Sequence, residues 1–145
     1  MKRILIACTI AASLYCTPVF AKGIIVSHVV LDAFKSNFSS ATNVSWEMVG
    51  TYYRASFNED DEAIFAYFGD DGSLVATSKF ISINDLPKSL KKGLKKYSGT
   101  SVIEVFEVDS KDDIRYYVTL GDGKKKVILE SAASAWNVFN KEKKF

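Results

Sequence analysis

Hydrophobic positions recur along the chain first with a helical period and then with a strand period. Val26, Val29, Val30, Ala33, Phe34 and Phe38 lie three or four residues apart, which places them on one stripe of a helix over 26–38. Ser39, Ser40 and Asn43 end it. Val44, Trp46 and Met48 then alternate with Ser45 and Glu47, the pattern of a strand with one buried face. After a Val49-Gly50 turn, Tyr53, Ala55 and Phe57 repeat the alternation. The polar stretch NEDDE reads as a hairpin loop, AIFAYF as a third strand, Asp71-Gly72 as a tight turn and LVATSKF as a fourth strand. The period changes again at INDLPKSLKKGLKKY. There Leu86, Leu90, Leu94 and Tyr97 have helical spacing, Asn84 or Asp85 is placed to cap, and Pro87 falls in a first turn. SVIEVFEV, IRYYVTL, KKVILE and AWNVF follow as four more strand-like runs.

The predicted order is therefore helix, four strands, helix, four strands. TYYRASFN and IRYYVTLG are nearly the same strand. A shift of 63 residues lays Tyr53 on Tyr116, Ala55 on Val118, Phe57 on Leu120, Ile64 on Val127 and Ala66 on Leu129 without a gap. This pattern predicts an α+β fold of two tandem helix-plus-four-strand repeats, about 22–82 and 83–145, forming one curved antiparallel sheet with the helices packed on one face.

The first residues change how the composition is read. Lys2 and Arg3 precede an apolar run over 4–15 that is too short to span a bilayer, and Val19-Phe20-Ala21 suits a signal peptidase. The expectation is a leader over 1–21, cleaved after Ala21. The alternatives are a retained anchor or a lipoprotein, the latter disfavoured because Tyr15 rather than a small residue precedes Cys16. Removing 21 of 145 residues leaves 124, a length that suits a single domain over 22–145. Both cysteines, Cys8 and Cys16, leave with the leader, so an exported chain would be held by packing without disulfides. Basic residues fall from 19 to 17 against 17 acidic, and this near-neutral balance argues against a nucleic-acid-binding protein. The location expected is the periplasm or the exterior, with no integral membrane segment after cleavage.

Several of these residues resemble the PepSY-like family of small exported bacterial proteins, also called beta-lactamase-inhibitor-like. The resemblance rests on a helix ending in Phe34 or Phe38, a strand with Val44 and Trp46, and a strand with Tyr53, Ala55 and Phe57. It continues with Phe68 before Asp71-Gly72, then Ile83, Leu86 and Pro87 opening the second helix. It implies an envelope protein of two tandem repeats, and the family's name implies binding or inhibition of another protein, often a hydrolase. The chain departs from the pattern over 131–136, where SAASAW replaces a second Asp-Gly; this is either a looser turn or one with a role of its own.

The inventory of reactive residues is poor. Beyond the leader there is no cysteine, and the one histidine, His28, reads as a helix-surface residue. The acidic groups (residues 59–62, Asp70-Asp71, Asp112-Asp113, Asp122) lack calcium-loop spacing and sit where hairpin tips are expected. No cofactor, metal or catalytic residue is expected. Lys88, Lys91, Lys92, Lys95 and Lys96 read as a solvated helix face, with anionic lipid or polysaccharide as the alternative ligand.

Alternation leaves Tyr52, Arg54, Phe65, Tyr67, Arg115, Tyr117, Ile128 and Glu130 on the face turned away from the helices. Aromatics mixed with arginine are enriched at binding hot spots. The chain thus reads as a non-enzymatic binding module that takes a protein or peptide on this open face. Tyr52, Phe65, Tyr67 and Tyr117 would be the anchors, with Arg54 and Arg115 as polar partners. The other readings are a small-ligand or glycan carrier, a structural homodimer, and strand residues chosen only for cross-strand pairing.

Overall fold

The structure is a computed structural model that describes residues 23–143; the predicted leader lies outside the described residues. Helix α1 (His28–Asn37) is followed by β1 (Thr42–Val49), β2 (Tyr52–Glu59), β3 (Glu62–Phe68) and β4 (Leu74–Phe80). A short 3₁₀ turn (Ile83–Asp85) leads to α2 (Lys88–Leu94) and a second 3₁₀ turn (Lys95–Tyr97). Strands β5 (Ser101–Ser110), β6 (Asp113–Gly121), β7 (Lys125–Ala132) and β8 (Ala135–Lys143) complete the chain.

The predicted α+β architecture of two helix-plus-four-strand repeats is corrected by this topology. All eight strands form one antiparallel sheet in sequential order, and the fold is sheet-dominated, at 54% strand and 19% helix among the described residues. The decisive pairing is β4 with β5, from Ala76 opposite Ser110 to Phe80 opposite Phe106. It bridges the proposed repeat boundary at 82/83, so the sheet hydrogen bonds run through it without a break. The two helices have only 10 and 7 residues and cover the sheet in patches.

Each patch has its own core. Val30 and Phe34 of α1 pack on Ala55, Phe57, Ala66 and Phe68. Phe34 is the hub of an aromatic cluster, its ring centroid 5.1 Å from Phe57, 5.2 Å from Trp46 and 5.5 Å from Phe38. Val29, predicted on the buried stripe, is exposed, because the contact is centred on Val30 and Phe34. Leu86 and Leu90 pack on Val105, Val118, Leu120, Leu129 and Trp136. The cap of the second helical segment also differs from expectation. Ser82 closes a reciprocal capping box with Asp85 over the 3₁₀ turn, and the α-helix restarts after Pro87.

The 131–136 segment is a tight two-residue turn, with Ala132 opposite Ala135 and Ala133 at φ 54°. Ser131 Oγ accepts the Tyr116 amide at 2.9 Å, and the Trp136 indole N–H donates to the Leu90 carbonyl at 2.8 Å. The turn therefore delivers a buried tryptophan onto α2. Gly93 makes room for it, since a Cβ there would lie 3.0 Å from Trp136 Cδ1.

Gly72, in the β3–β4 turn, has φ +80°, and a Cβ there would lie 2.8 Å from Val29 Cγ1 and 3.0 Å from the Val29 carbonyl oxygen. Asp71 Oδ1 closes the same turn by accepting the Ser73 amide at 2.9 Å and the Ser73 hydroxyl at 2.6 Å. Gly72→Ala meets both backbone strain and a backbone contact at the start of α1. It is expected to cost about 1–2 kcal/mol, read as a lower urea midpoint at unchanged slope.

Candidate functional site

The face turned away from the helices is built by register. One row runs Glu47, Arg54, Tyr67, Ala76, Ser110, Asp113, and the next Ser45, Ser56, Phe65, Ser78, Val108, Arg115. A third runs Phe80, Phe106, Tyr117, Glu130, Asn137. All six residues singled out from sequence, Tyr52, Arg54, Phe65, Tyr67, Arg115 and Tyr117, therefore share one face.

That face is not an open platform. Tyr67, Ala76, Phe106, Tyr117 and Ile128 form a third buried cluster, flanked by Val49, Tyr52, Phe65, Val75, Val108 and Phe139. These side chains come from every strand, β1 to β8, and neither helix contributes. Side chains on the helix-free face bury one another when the sheet curls toward them, as accumulated strand twist allows. Tyr67 is 0% exposed, Arg54 8% and Tyr117 9%, so these three form the floor of a concave surface. Tyr52 and Phe65 are half-buried, and the Arg115 side chain is 50% exposed.

The floor is polar at two points. The Arg54 guanidinium pairs with Glu47 on the edge strand and lies 5.2 Å from the Phe65 ring centroid. Arg54 Nε, the Tyr67 hydroxyl and Ser78 Oγ are buried without a hydrogen-bond partner among the described residues. At the other point, Glu130 Oε1 accepts from the Tyr117 hydroxyl at 2.6 Å and from Arg115 Nη1 at 2.9 Å, while Arg115 Nε donates to Asp113 Oδ2 at 3.0 Å. Burial, reinforced by the Glu130 carboxylate, holds the Tyr117 phenol well above its usual range, so it stays a neutral donor. The Asp113 and Glu130 carboxylates together raise Arg115 and keep it cationic.

Sequence reasoning missed Phe80 and Phe106. Their ring centroids lie 4.0 Å apart with the planes tilted by 39°, Phe65 lies 6.2 Å from Phe80, and Phe80 is 49% exposed. The signal was present as the alternation Ala76, Ser78, Phe80. It went unread because the internal match covered β2, β3, β6 and β7 and left the faces of β4 and β5 unassigned. His28 is exposed, and among the described residues no group of three or more His, Cys, Asp or Glu side chains is placed to hold a metal ion.

The fold is that of several solved bacterial proteins. A BLIP-like protein from Bacteroides fragilis is 24% identical with a TM-score of 0.67, over 83% of this chain and 87% of its own. A Bacteroides eggerthii protein inferred to be periplasmic is 16% identical with a TM-score of 0.74, over 83% and 90%. A DUF2874 family protein from Bacteroides ovatus is 20% identical with a TM-score of 0.73, over 83% and 89%. At these identities the likeness establishes the fold, a BLIP-like one. None of these proteins carries the PepSY name, and no family model and no curated protein matches the chain. Among the described residues no helix is long and apolar enough to cross a membrane.

Proposed function

We propose that the chain is an exported, non-enzymatic binding module that takes a protein or peptide of the cell envelope on the concave face of its sheet. The observation that carries this reading is the accessible aromatic rim beside a buried polar floor. Phe80, Phe65 and Tyr52 offer apolar area, and on the same face Arg115, oriented by Asp113 and Glu130, offers a fixed cation. Interfaces gain most of their affinity from such aromatic and arginine groups set in partly desolvated surroundings. The buried floor residues Tyr67, Tyr117 and Arg54 act by shaping the surface and aiming the rim. Likeness to a BLIP-like fold supports the class of binding module and extends, within this proposal, to modulation of an envelope hydrolase.

The test is a pull-down from envelope extract with the chain 22–145, run beside Phe80→Ala/Arg115→Ala. Both positions are about half exposed and Tyr67, Tyr117 and Arg54 are kept, so circular dichroism is expected to match the parent, with only a modest drop in melting temperature from the lost Phe80–Phe106 contact and Arg115–Glu130 pair. A partner captured by the parent is expected to lose affinity by roughly thirtyfold or more in the variant. Equal capture by both would move the site to the helices or turns. No partner, together with a dimer by light scattering that the variant lacks, would assign the face to self-association.

A further inference from the structure

Charge is divided unevenly along the chain. Residues 22–82 hold 4 basic against 8 acidic side chains, and residues 83–145 hold 13 against 9. The fold gathers much of the basic excess at one end of the molecule. No acidic residue lies between Asp85 and Glu104, a stretch that holds Lys88, Lys91, Lys92, Lys95 and Lys96. Tyr97, which closes this segment, packs in the same cluster as Leu120 and Val127. Ser101, a few residues on, pairs with Gly121, and Gly121 pairs with Lys126. Lys125 and Val127 pair with Lys143 and Lys141 of β8. The segment after α2, the β6–β7 turn and the end of β8 therefore lie at the same end of the sheet.

Lys92, Lys95, Lys96, Lys124, Lys125 and Lys141 are all exposed, and none forms an ion pair with a described side chain. The acid nearest in sequence to the turn lysines, Asp122, is engaged: its Oδ1 accepts the Lys124 and Lys125 amides at 2.8 Å each. Glu142 is the other carboxylate close by in sequence. Lysines at a helix C-terminus are favoured by the helix dipole, which accounts for Lys95 and Lys96. It does not account for Lys124, Lys125 and Lys141, which come from a turn and a strand.

We propose that this basic end binds an acidic polysaccharide. Lysine ammonium groups are hydrated point charges without fixed fork geometry, so a patch made only of lysines reads charge density along a polymer more than the shape of one anion. A lipid surface fits less well. The apolar residues Leu86 and Leu90 are buried against the sheet, which leaves α2 no apolar face to place in a bilayer. The proposal rests on export to an envelope where such polymers are met, and not on the concave face.

Heparin serves as the probe polyanion, with affinity measured across a series of salt concentrations. The parent chain is expected to bind at low salt with an affinity that falls steeply as salt rises, since each neutralised charge releases counterions. Lys96→Gln/Lys125→Gln is expected to weaken binding about tenfold at low salt. Lys35→Gln/Lys111→Gln, which removes the same net charge elsewhere, is expected to change it less than about twofold. Equal losses in the two variants, or no binding by the parent, would overturn the proposal. Tighter binding to anionic vesicles or to duplex DNA than to heparin would also overturn it, by moving the partner to another class. Retained binding of a captured protein by Lys96→Gln/Lys125→Gln would separate this site from the concave face.

Discussion

Trp136→Ala is expected to lower stability by about 3–5 kcal/mol, a large part of the roughly 5–15 kcal/mol that holds a domain of this size. Two losses add. The indole fills the contact between Leu86, Leu90 and Leu129, so its removal leaves a large apolar cavity. Its N–H satisfies the Leu90 carbonyl at 2.8 Å inside the core, and that bond disappears. Gly93, which leaves room for the ring, carries the same helical cost in parent and variant and so adds nothing to the difference. Trp136→Phe separates these effects, because it keeps most of the apolar volume and removes the donor. Its expected cost is smaller, about 1–2 kcal/mol. Urea denaturation followed by circular dichroism gives both numbers. Equal small losses in the two variants would show that the indole is not the anchor of α2.

Phe34→Ala is expected to cost a similar 3–5 kcal/mol, from the other end of the sheet. Phe34 is the side chain through which α1 docks, and its ring meets Phe57, Trp46, Phe38 and Phe68. Edge-to-face aromatic contacts of this kind add to area burial. The two variants also test the continuity of the sheet. Hydrogen bonds between β4 and β5 couple the halves, so Phe34→Ala and Trp136→Ala are each expected to lower one common unfolding transition, with Tm reduced by roughly 10–20 °C. A second transition in either variant, with half the helical and strand signal retained, would show that the halves unfold separately.

The sequence was informative where a period is set by nearest neighbours. Alternation at Tyr53, Ala55, Phe57, Ile64, Ala66 and Phe68 placed those residues against a helix, and the same alternation put Tyr52, Arg54, Phe65 and Tyr67 on the other side. Asp71-Gly72 announced its turn because only glycine takes φ +80° without strain. The 131–136 segment carried no such signal. Ala133 adopts φ 54° although alanine does not prefer it, and what compensates is Trp136 reaching a carbonyl 46 residues away.

The concave face shows where local reading stops. Residue types and alternation determined which side chains face away from the helices, because a strand sends successive side chains to opposite sides whatever surrounds it. Whether Tyr67 lies in solvent or under its neighbours depends on the curl of the whole sheet. That curl sums the twist of eight strands and the volumes of side chains from Val49 to Phe139, none of which is local to Tyr67. The sequence by itself thus determined the strands, the faces of β2, β3, β6 and β7, and the tight turn at Asp71-Gly72. Only the tertiary structure decided that the halves fuse through β4 and β5, that the aromatic face folds into a floor with Phe80 at its rim, and that separate lysines lie at one end of the sheet. Those features depend on pairing and packing between residues far apart in the chain, which no window along it contains.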